Sequence, residues 1–541
     1  MRFTVLAALA LLLASSAPSR ADDGDLRFSL VLHARFTDLE NQPAPTILFD
    51  TARSGFATGL YLRPSGSDVY PSALVSAGVE GRQGPFRWAL LADTGELRSQ
   101  SFPANANVCF STLSTSPTGL AVRGSGRCNV LVNDRSPTFA VDELRRAPAQ
   151  LTSNGRPFGD ELSETLLLRE AWVGAVFGPN ELGLVRVGRQ RFTVADGFVY
   201  DDWGTGASAS FDLGAIGPSW DLGAAIFYPS RDLPIGEGWT SGLLALRADY
   251  LPSLFEHLGV FAAYYRDRSS QMVELFRGSL TEPSVVRLMS LAPGTQAYAN
   301  ESRLLVLQLD TTFTGQADVG WAGTSGSVRL DRVRLDWTAA LAFGQLTVPD
   351  VTLVQLTPAS VLTRTRYRTN SLFGQLAHVR VGVPLGAWRL GGFFLFLSGD
   401  QPPSEKARLG EPPQYGGFLG VSPFITDTNI FFDGGASESF ASRQATAPGV
   451  NARGVLAPGA TASWESASGF AVGVRGAYLV APVPGPFGGR VYGPEADLNL
   501  AWSPLSWLTL LAEGDVMFPG DFYAGRATVT KVVLGCNVVA F

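Results

Sequence analysis

The chain has 541 residues, of which 45% are apolar and only 17% charged, with a net charge of −6 and a mean hydropathy of +0.12. Soluble proteins carry about a quarter of their residues as charged side chains, and an acidic balance gives no reason to expect a nucleic-acid partner. No later apolar run reaches the ~18–20 residues of a membrane helix. Dispersed apolar residues, 60 Gly and 11% aromatics instead point to an all-β, transmembrane antiparallel up-and-down β-barrel. A large soluble propeller or solenoid is the alternative.

Residues 1–21 read as a secretory signal. Arg2 supplies a basic start, Phe3–Leu13 an apolar run too short to span, and Ser19-Arg20-Ala21 a small-x-small cleavage site. Residues 22–541 then form a single barrel domain, and export without a later helical span puts it in the outer membrane of a Gram-negative bacterium. Leu26–Phe36 opens the barrel, with Leu26, Phe28, Leu30, Leu32 and Ala34 on one face and Arg27, Ser29, Val31, His33 and Arg35 on the other.

Further strands are expected at Ala57–Arg63, Phe86–Leu97, Leu168–Phe177, Leu184–Phe192, Ala207–Leu213 and Trp220–Tyr228. The series continues through Leu243–Tyr250, Val260–Arg266, Arg303–Phe313, Ala317–Gly323, Arg332–Phe343, Leu372–Val383 and Ala387–Leu397. It ends with Gly454–Trp464, Phe470–Val480, Glu495–Trp502, Trp507–Phe518 and Thr528–Phe541. Single-chain bacterial barrels close with an even number of strands, so about eighteen are expected. A terminal aromatic, here Phe541, is the mark read by the barrel-assembly machinery, an expected partner along with outer-membrane lipid.

Arg332–Phe343 shows how the faces are assigned. Val333, Leu335, Trp337, Ala339, Leu341 and Phe343 oppose Arg332, Arg334, Asp336 and Thr338. An arginine facing lipid at the midplane costs roughly 2–4 kcal/mol, so charged faces must point inward. The expected lumen lining is Arg27, Arg35, Arg186, Arg247, Asp249, Arg332, Arg334, Asp336, Arg380, Arg475, Glu495 and Asp497, with Asp310, Glu513 and Asp515 as further acids. These arginines either bind an anionic cargo through their planar forks or pair with lumen acids to brace the wall. Trp203, Trp388, Trp502 and Trp507 are expected in interfacial girdles. Pro218-Ser219 and Pro504-Leu505-Ser506 read as short periplasmic turns, and 99–165, 267–301, 345–370 and 399–452 as long insertions, external or folded into the lumen.

Cys109 and Cys128 share a Ser/Thr/Gly-rich stretch and are expected to form a disulfide in an oxidising compartment, whereas Cys536 reads as a small apolar residue of the last strand. Of the three histidines, His33, His257 and His378, none sits in a nucleophile motif. With no metal-ligand spacing and no phosphate-cradling loop, neither an enzyme nor a cofactor is expected.

Three segments carry a family resemblance. Gly188-Arg189-Gln190 closes a strand before Ala195-Asp196-Gly197. Ser398-Gly399-Asp400 precedes Gly417-Phe418 and Pro423-Phe424, and Pro519-Gly520-Asp521 precedes the last strand. In this order they resemble the alginate-export outer-membrane porins. The resemblance implies an eighteen-stranded channel that exports a polysaccharide, alginate-like or other, together with periplasmic export proteins. The residues themselves leave two other readings open: a diffusion porin for small anionic or sugar solutes, and a structural barrel plugged by its own loops within an envelope complex.

Overall fold

The computed structural model of the chain describes residues 26–40, 43–47, 60–64, 68–96, 167–217, 219–229, 241–253, 256–268, 315–357, 360–400, 414–421, 425–432, 453–485, 488–523 and 527–540, with a few isolated positions besides. Eighteen strands form the wall. They are β1 (Leu26–Glu40), β2 (Asp68–Gln83), β3 (Phe86–Glu96), β4 (Leu167–Phe177), β5 (Gly183–Val194), β6 (Tyr200–Asp212), β7 (Trp220–Tyr228), β8 (Gly242–Ser253) and β9 (Glu256–Asp267). After them come β10 (Gln316–Leu330), β11 (Val333–Thr357), β12 (Ser360–Leu385), β13 (Trp388–Leu397), β14 (Val455–Glu465), β15 (Phe470–Val480), β16 (Val491–Leu505), β17 (Leu508–Met517) and β18 (Val529–Ala540). Each pairs antiparallel with its neighbours in chain order, and β1 pairs with β18 from Leu30↔Ala540 to Glu40↔Thr530. The ring is therefore closed and leaves no edge strand, which a lipid environment requires.

Alternation decides which face is which. On β11, Leu341 and Phe343 are exposed at 44% and 48%, while Ala340 and Ala342 between them are buried. On β8, Leu244, Leu246 and Tyr250 are exposed opposite Arg247 and Asp249. On β16, Leu498 and Trp502 are exposed opposite the buried Glu495 and Asp497. The exposed apolar side chains continue around the wall through Phe28, Leu90, Val173, Val187, Ile226, Val260, Phe394 and Leu534. A belt of this extent is a lipid-facing surface, far beyond the few hundred Å² a soluble monomer exposes.

Connections sort by length to the two ends. Those at 84–85, 178–182, 213–219, 254–255, 331–332, 386–387, 466–469 and 506–507 share one end with the start of β1 and the finish of β18. The strand ends from which the longer connections leave, together with the short connection 195–199, mark the other, the long-loop end. Trp388, Trp502, Trp507 and Trp220 form an exposed aromatic girdle at the short-turn end, the Trp220 ring lying tilted 5.3 Å from that of Tyr250. Trp203 departs from the girdle expectation: it lies between the guanidiniums of Arg169 at 4.3 Å and Arg191 at 5.7 Å.

The strand count meets expectation, but the membership does not. Leu60–Pro64, expected within a stave, pairs with Pro43–Ile47 in a separate two-stranded sheet. The stave at Asp68–Gln83 went unassigned because serines and glycines dilute its alternation. Residues 345–370, expected as a loop, are mostly strand, since β11 and β12 run for 25 and 26 residues and stay paired to Thr357↔Ser360. Arg303–Phe313, Asp310, Cys109, Cys128, Pro218 and Phe541 lie outside the described residues, whereas Cys536 is a free thiol.

Candidate functional site

The lumen is crossed by chain that descends from the long-loop end. After β13, residues 414–432 enter the barrel as a strap. Its apolar residues Tyr415, Phe418, Leu419, Val421, Ile430, Phe431 and Phe432 are all buried. Along its first half the backbone is held by wall and neighbouring chain. Phe418 N donates to Ser398 O at 2.9 Å, Val421 N to Val199 O at 2.7 Å, and the Trp321 indole Nε1 to Leu419 O at 2.7 Å. The short β5–β6 connection 195–199 leans inward to meet it. Thr338 Oγ1 of β11 donates to Asp196 Oδ2, and the Phe198 ring lies 4.9 Å from that of His378.

The second half, Thr426–Phe432, is gripped by polar side chains of β12 and β15–β18. Arg380 Nη2 reaches Asp427 Oδ1 at 2.6 Å, and His378 Nε2 approaches Oδ2 at 3.1 Å. Arg475 Nη1 donates to Thr426 O. Glu495 accepts the backbone N–H groups of Ile430 at 2.5 Å and Phe431 at 3.1 Å. At the centre sits Asn429, 1% exposed. Its backbone N donates to Asp497 at 3.3 Å, its Nδ2 to Asn499 at 3.1 Å and Asp515 at 2.9 Å, and its carbonyl accepts from Lys531 Nζ at 2.9 Å. Lys531 in turn pairs with Glu513 at 2.7 Å, both side chains almost fully buried.

The register explains why these groups meet. Arg475 faces Asp497, Asp497 faces Asp515, and Asp515 faces Lys531 across four consecutive strands. The row is basic, acidic, acidic, basic. The segment above it supplies donors over the acids and a carbonyl over the lysine. Hydrogen bonds to charged groups are each worth about 1.5–3 kcal/mol, and they strengthen where water is excluded. For Asp427, burial pushes the carboxyl up, but the adjoining His378 and Arg380 outweigh it and hold it well below the usual carboxylate range.

Two of the cavities on the inward face of the wall are lined by charged groups. One of ≈ 660 Å³ is lined by Arg329, Arg332, Arg334, Arg380, Arg389 and Arg475, with Asp336 and Asp427. The other, of ≈ 480 Å³, is lined by Arg186, Arg247, Asp221, Asp249, His257 and the serines Ser208 and Ser210, against Phe192 and Phe227. Its charges balance locally, since Arg247 lies 3.7 Å from both Asp221 and Asp249. Arg186 rests 5.4 Å over the Trp172 ring.

The expected lumen residues thus divide. Arg332, Arg334 and Asp336 border the larger cavity, and Arg186, Arg247 and Asp249 the smaller. Arg380 and Arg475 border the larger cavity while also holding the strap, and Glu495 and Asp497 are covered by it. Arg35 braces the closing seam, donating to Cys536 O at 3.1 Å and Asn537 Oδ1 at 2.8 Å beside His33, whose Nδ1 is 2.8 Å from the same oxygen. Arg27 keeps the inward parity of Arg35, nearer the short-turn end.

The three family-like segments shape loop exits. Gly188, at φ 132°, admits the Ala171 carbonyl where a Cβ would collide. Arg189 is buried on the parity of Val187 and donates to Leu168 O at 2.7 Å, and Gln190 accepts from Ser208 at 2.9 Å. Ser398 Oγ accepts from Gln375 N at 2.7 Å, Gly399 lies against the Arg453 backbone, and Asp400 accepts from Gly416 N where the strap begins. Asp521, next to Pro519 and Gly520, accepts from Arg490 N and Val491 N at 3.0 and 2.7 Å.

Sequence reasoning missed Asp427, Asn429, Lys531, Arg329 and Arg389. The polar run Thr426–Asn429 between Ile425 and Ile430-Phe431-Phe432 was a visible signal of buried loop. Lys531, one of only two lysines, was another.

No family model and no curated protein matches the chain, so the resemblance to alginate-export porins gains no support. Similar solved structures include three proteins of Pseudomonas aeruginosa. OccK9 (OpdG) is 10% identical at a TM-score of 0.47, covering 95% of this chain and 98% of that one. OccK5 (OpdH) is 10% identical at 0.44, covering 96% and 99%. OpdK with vanillate is 9% identical at 0.43, covering 95% and 98%. Likeness at this level says nothing about cargo. The closed register and the lipid-facing belt make the chain a transmembrane β-barrel of the kind that spans a Gram-negative outer membrane.

Proposed function

We propose that the protein is a diffusion channel for small anionic solutes. The observation that carries this reading is the strap. It is anchored on the inward faces of β10, β12 and β15–β18 and so narrows the bore, and the larger cavity beneath it carries six arginines against two carboxylates. Guanidinium groups in a wet lumen favour anions, yet release them. A polysaccharide chain would have to displace the whole anchored segment, which disfavours export.

Purified protein in a planar bilayer under a KCl gradient tests the reading. A reversal potential showing chloride preference is expected, and Arg332→Glu with Arg334→Glu should reduce it. Cation preference in the unaltered channel would sink the proposal. Absence of conductance even after deletion of residues 416–432 would favour the structural, self-plugged barrel, and loss of surface polysaccharide on gene deletion would favour export.

A further inference from the structure

The strap covers a patch of wall unlike the arginine-lined cavity. Four carboxylates, Glu495, Asp497, Glu513 and Asp515, stand on the inward faces of β16 and β17, with one base on either side, Arg475 on β15 and Lys531 on β18. The four acids and Lys531 are buried, at 3–5% exposure. What lies over them is neutral. Residues 428–432 read Thr-Asn-Ile-Phe-Phe and carry no charge. Their N–H groups serve the acids. Ile430 N and Phe431 N donate to Glu495, and Asn429 donates to Asp497 through its backbone and to Asp515 through Nδ2. Asp497 and Asp515 are register partners, a pairing of like groups that ordinarily costs stability, and a single asparagine bridges them. Asp427, the one charged residue of the strap, is tied instead to Arg380 and His378 of β12.

We propose that this seat on β15–β18 is a second, cation-conducting face of the bore, uncovered when residues 428–432 leave it. Neutral donors satisfy the carboxylates without cancelling their charge. Once the segment lifts, water replaces those donors, and a carboxylate facing water is ionised at neutral pH, since its ordinary pKa is about 4. The uncovered seat sets four carboxylates against two bases, four minus two, a surplus of two negative charges. Acidic side chains lining a wet pore favour cations. The arginines of the larger cavity keep their state, because Asp427 stays paired with Arg380 while only 428–432 moves. Strap position therefore sets ion preference as well as bore: anions with the segment docked, small cations admitted with it lifted. The docked half of this statement rests on the anion-channel reading above; the direction of the change does not.

The test replaces residues 428–432 by glycines, which preserves chain length and fixed charge. Reversal potentials of the full chain are read in a planar bilayer under a KCl gradient centred at about 0.1 M, where a fixed charge acts over about 10 Å. The chloride-to-potassium permeability ratio should fall roughly threefold or more relative to the unaltered channel. Adding Asp497→Asn and Asp515→Asn removes the two surplus charges and should return the ratio to within about 1.5-fold of the parent's. Should the glycine variant fail to migrate as a folded barrel, the higher conductance level of Asn429→Ala is compared with the lower level of the same molecule, and the same fall is expected. An unchanged ratio in the folded glycine variant overturns the inference. So does a higher level of Asn429→Ala with the selectivity of the lower one, or the absence of any such level. A fall that survives the two asparagine substitutions also overturns it, because these carboxylates are then not its cause. A parent without chloride preference sinks the anion-channel reading alone, since this test reads a difference between variants.

Discussion

Asn429→Ala isolates the strap from the wall with the least disturbance to charge. The substitution removes two side-chain hydrogen bonds, to Asn499 at 3.1 Å and to Asp515 at 2.9 Å. The first joins neutral groups and is worth about 0.5–1.5 kcal/mol, and the second, to a carboxylate, about 1.5–3 kcal/mol. Backbone bonds to Asp497 and Lys531 remain. The docked state therefore loses about 2–4 kcal/mol relative to a released one, a shift of roughly 30- to 700-fold in the equilibrium at 1.4 kcal/mol per decade. The wall keeps all its ladder bonds, so the heat-modifiable mobility of the folded barrel should not change. In single-channel records the variant should visit a higher conductance level far more often than the unaltered protein. A folded variant whose conductance histogram matches the parent's would refute the claim that this residue fixes the strap across the lumen.

Asp427 sets the pH response of the same segment. Its carboxyl is held below the usual range in the folded protein, so its contribution is fully present above the ordinary carboxylate pKa and is lost only as pH falls through the depressed folded value. Conductance should therefore stay at its neutral-pH level through pH 4, and Asp427→Asn should raise it at every pH; an unaltered protein that opens between pH 5 and 4 would contradict this. Leu341→Arg puts a charge on the lipid face of β11 and should cost roughly 2–4 kcal/mol in reversible urea unfolding if Leu341 lies near the midplane. An unchanged unfolding midpoint would mean that the faces are inverted. Arg35→Met strips the closing seam of its bonds to Cys536 and Asn537 and should lower the temperature at which the folded band disappears on a gel, with no change in ion selectivity. Trp321→Phe removes the indole bond to Leu419 O and leaves a buried carbonyl without that donor, costing the strap about 1–3 kcal/mol; unchanged channel noise would argue against it.

The wall was largely legible in the sequence because its physics is local. Alternate residues along parts of β11, β8 and β16 meet lipid, and a period of two can be read off ten residues. Legibility failed where locality failed. Asp68–Gln83 carries Ser76 and Gly78 on its inward face and Ala73 and Ala77 on the other, a contrast too faint to mark a strand. Residues 345–370 contain Pro349 and Pro358 and look like a loop, yet they keep a ladder because the partner strand continues with them. The lining arginines could be named from parity, but not their assignments. Arg332 stays open to the cavity while Arg475 is spent on Thr426 O, and only the fold of a segment 49 residues away separates the two roles. The bond between Lys531 and Asn429 spans 102 residues and has no trace in any local pattern.

The row of charges on β15–β18 has a consequence for how such a channel is inherited and built. The strap precedes, in the chain, most of the strands that receive it: Asn429 emerges well before Arg475, Asp497, Asp515 and Lys531. A growing barrel thus has its obstruction in hand before it has the socket, and the bore can narrow only after the last four staves have joined. For the same reason the strap and β15–β18 form one physical unit. Moving the strap alone into another barrel would transplant a key without its lock, whereas moving it with β15–β18, beside the Arg380 and His378 of β12, would carry the gate and its seat together.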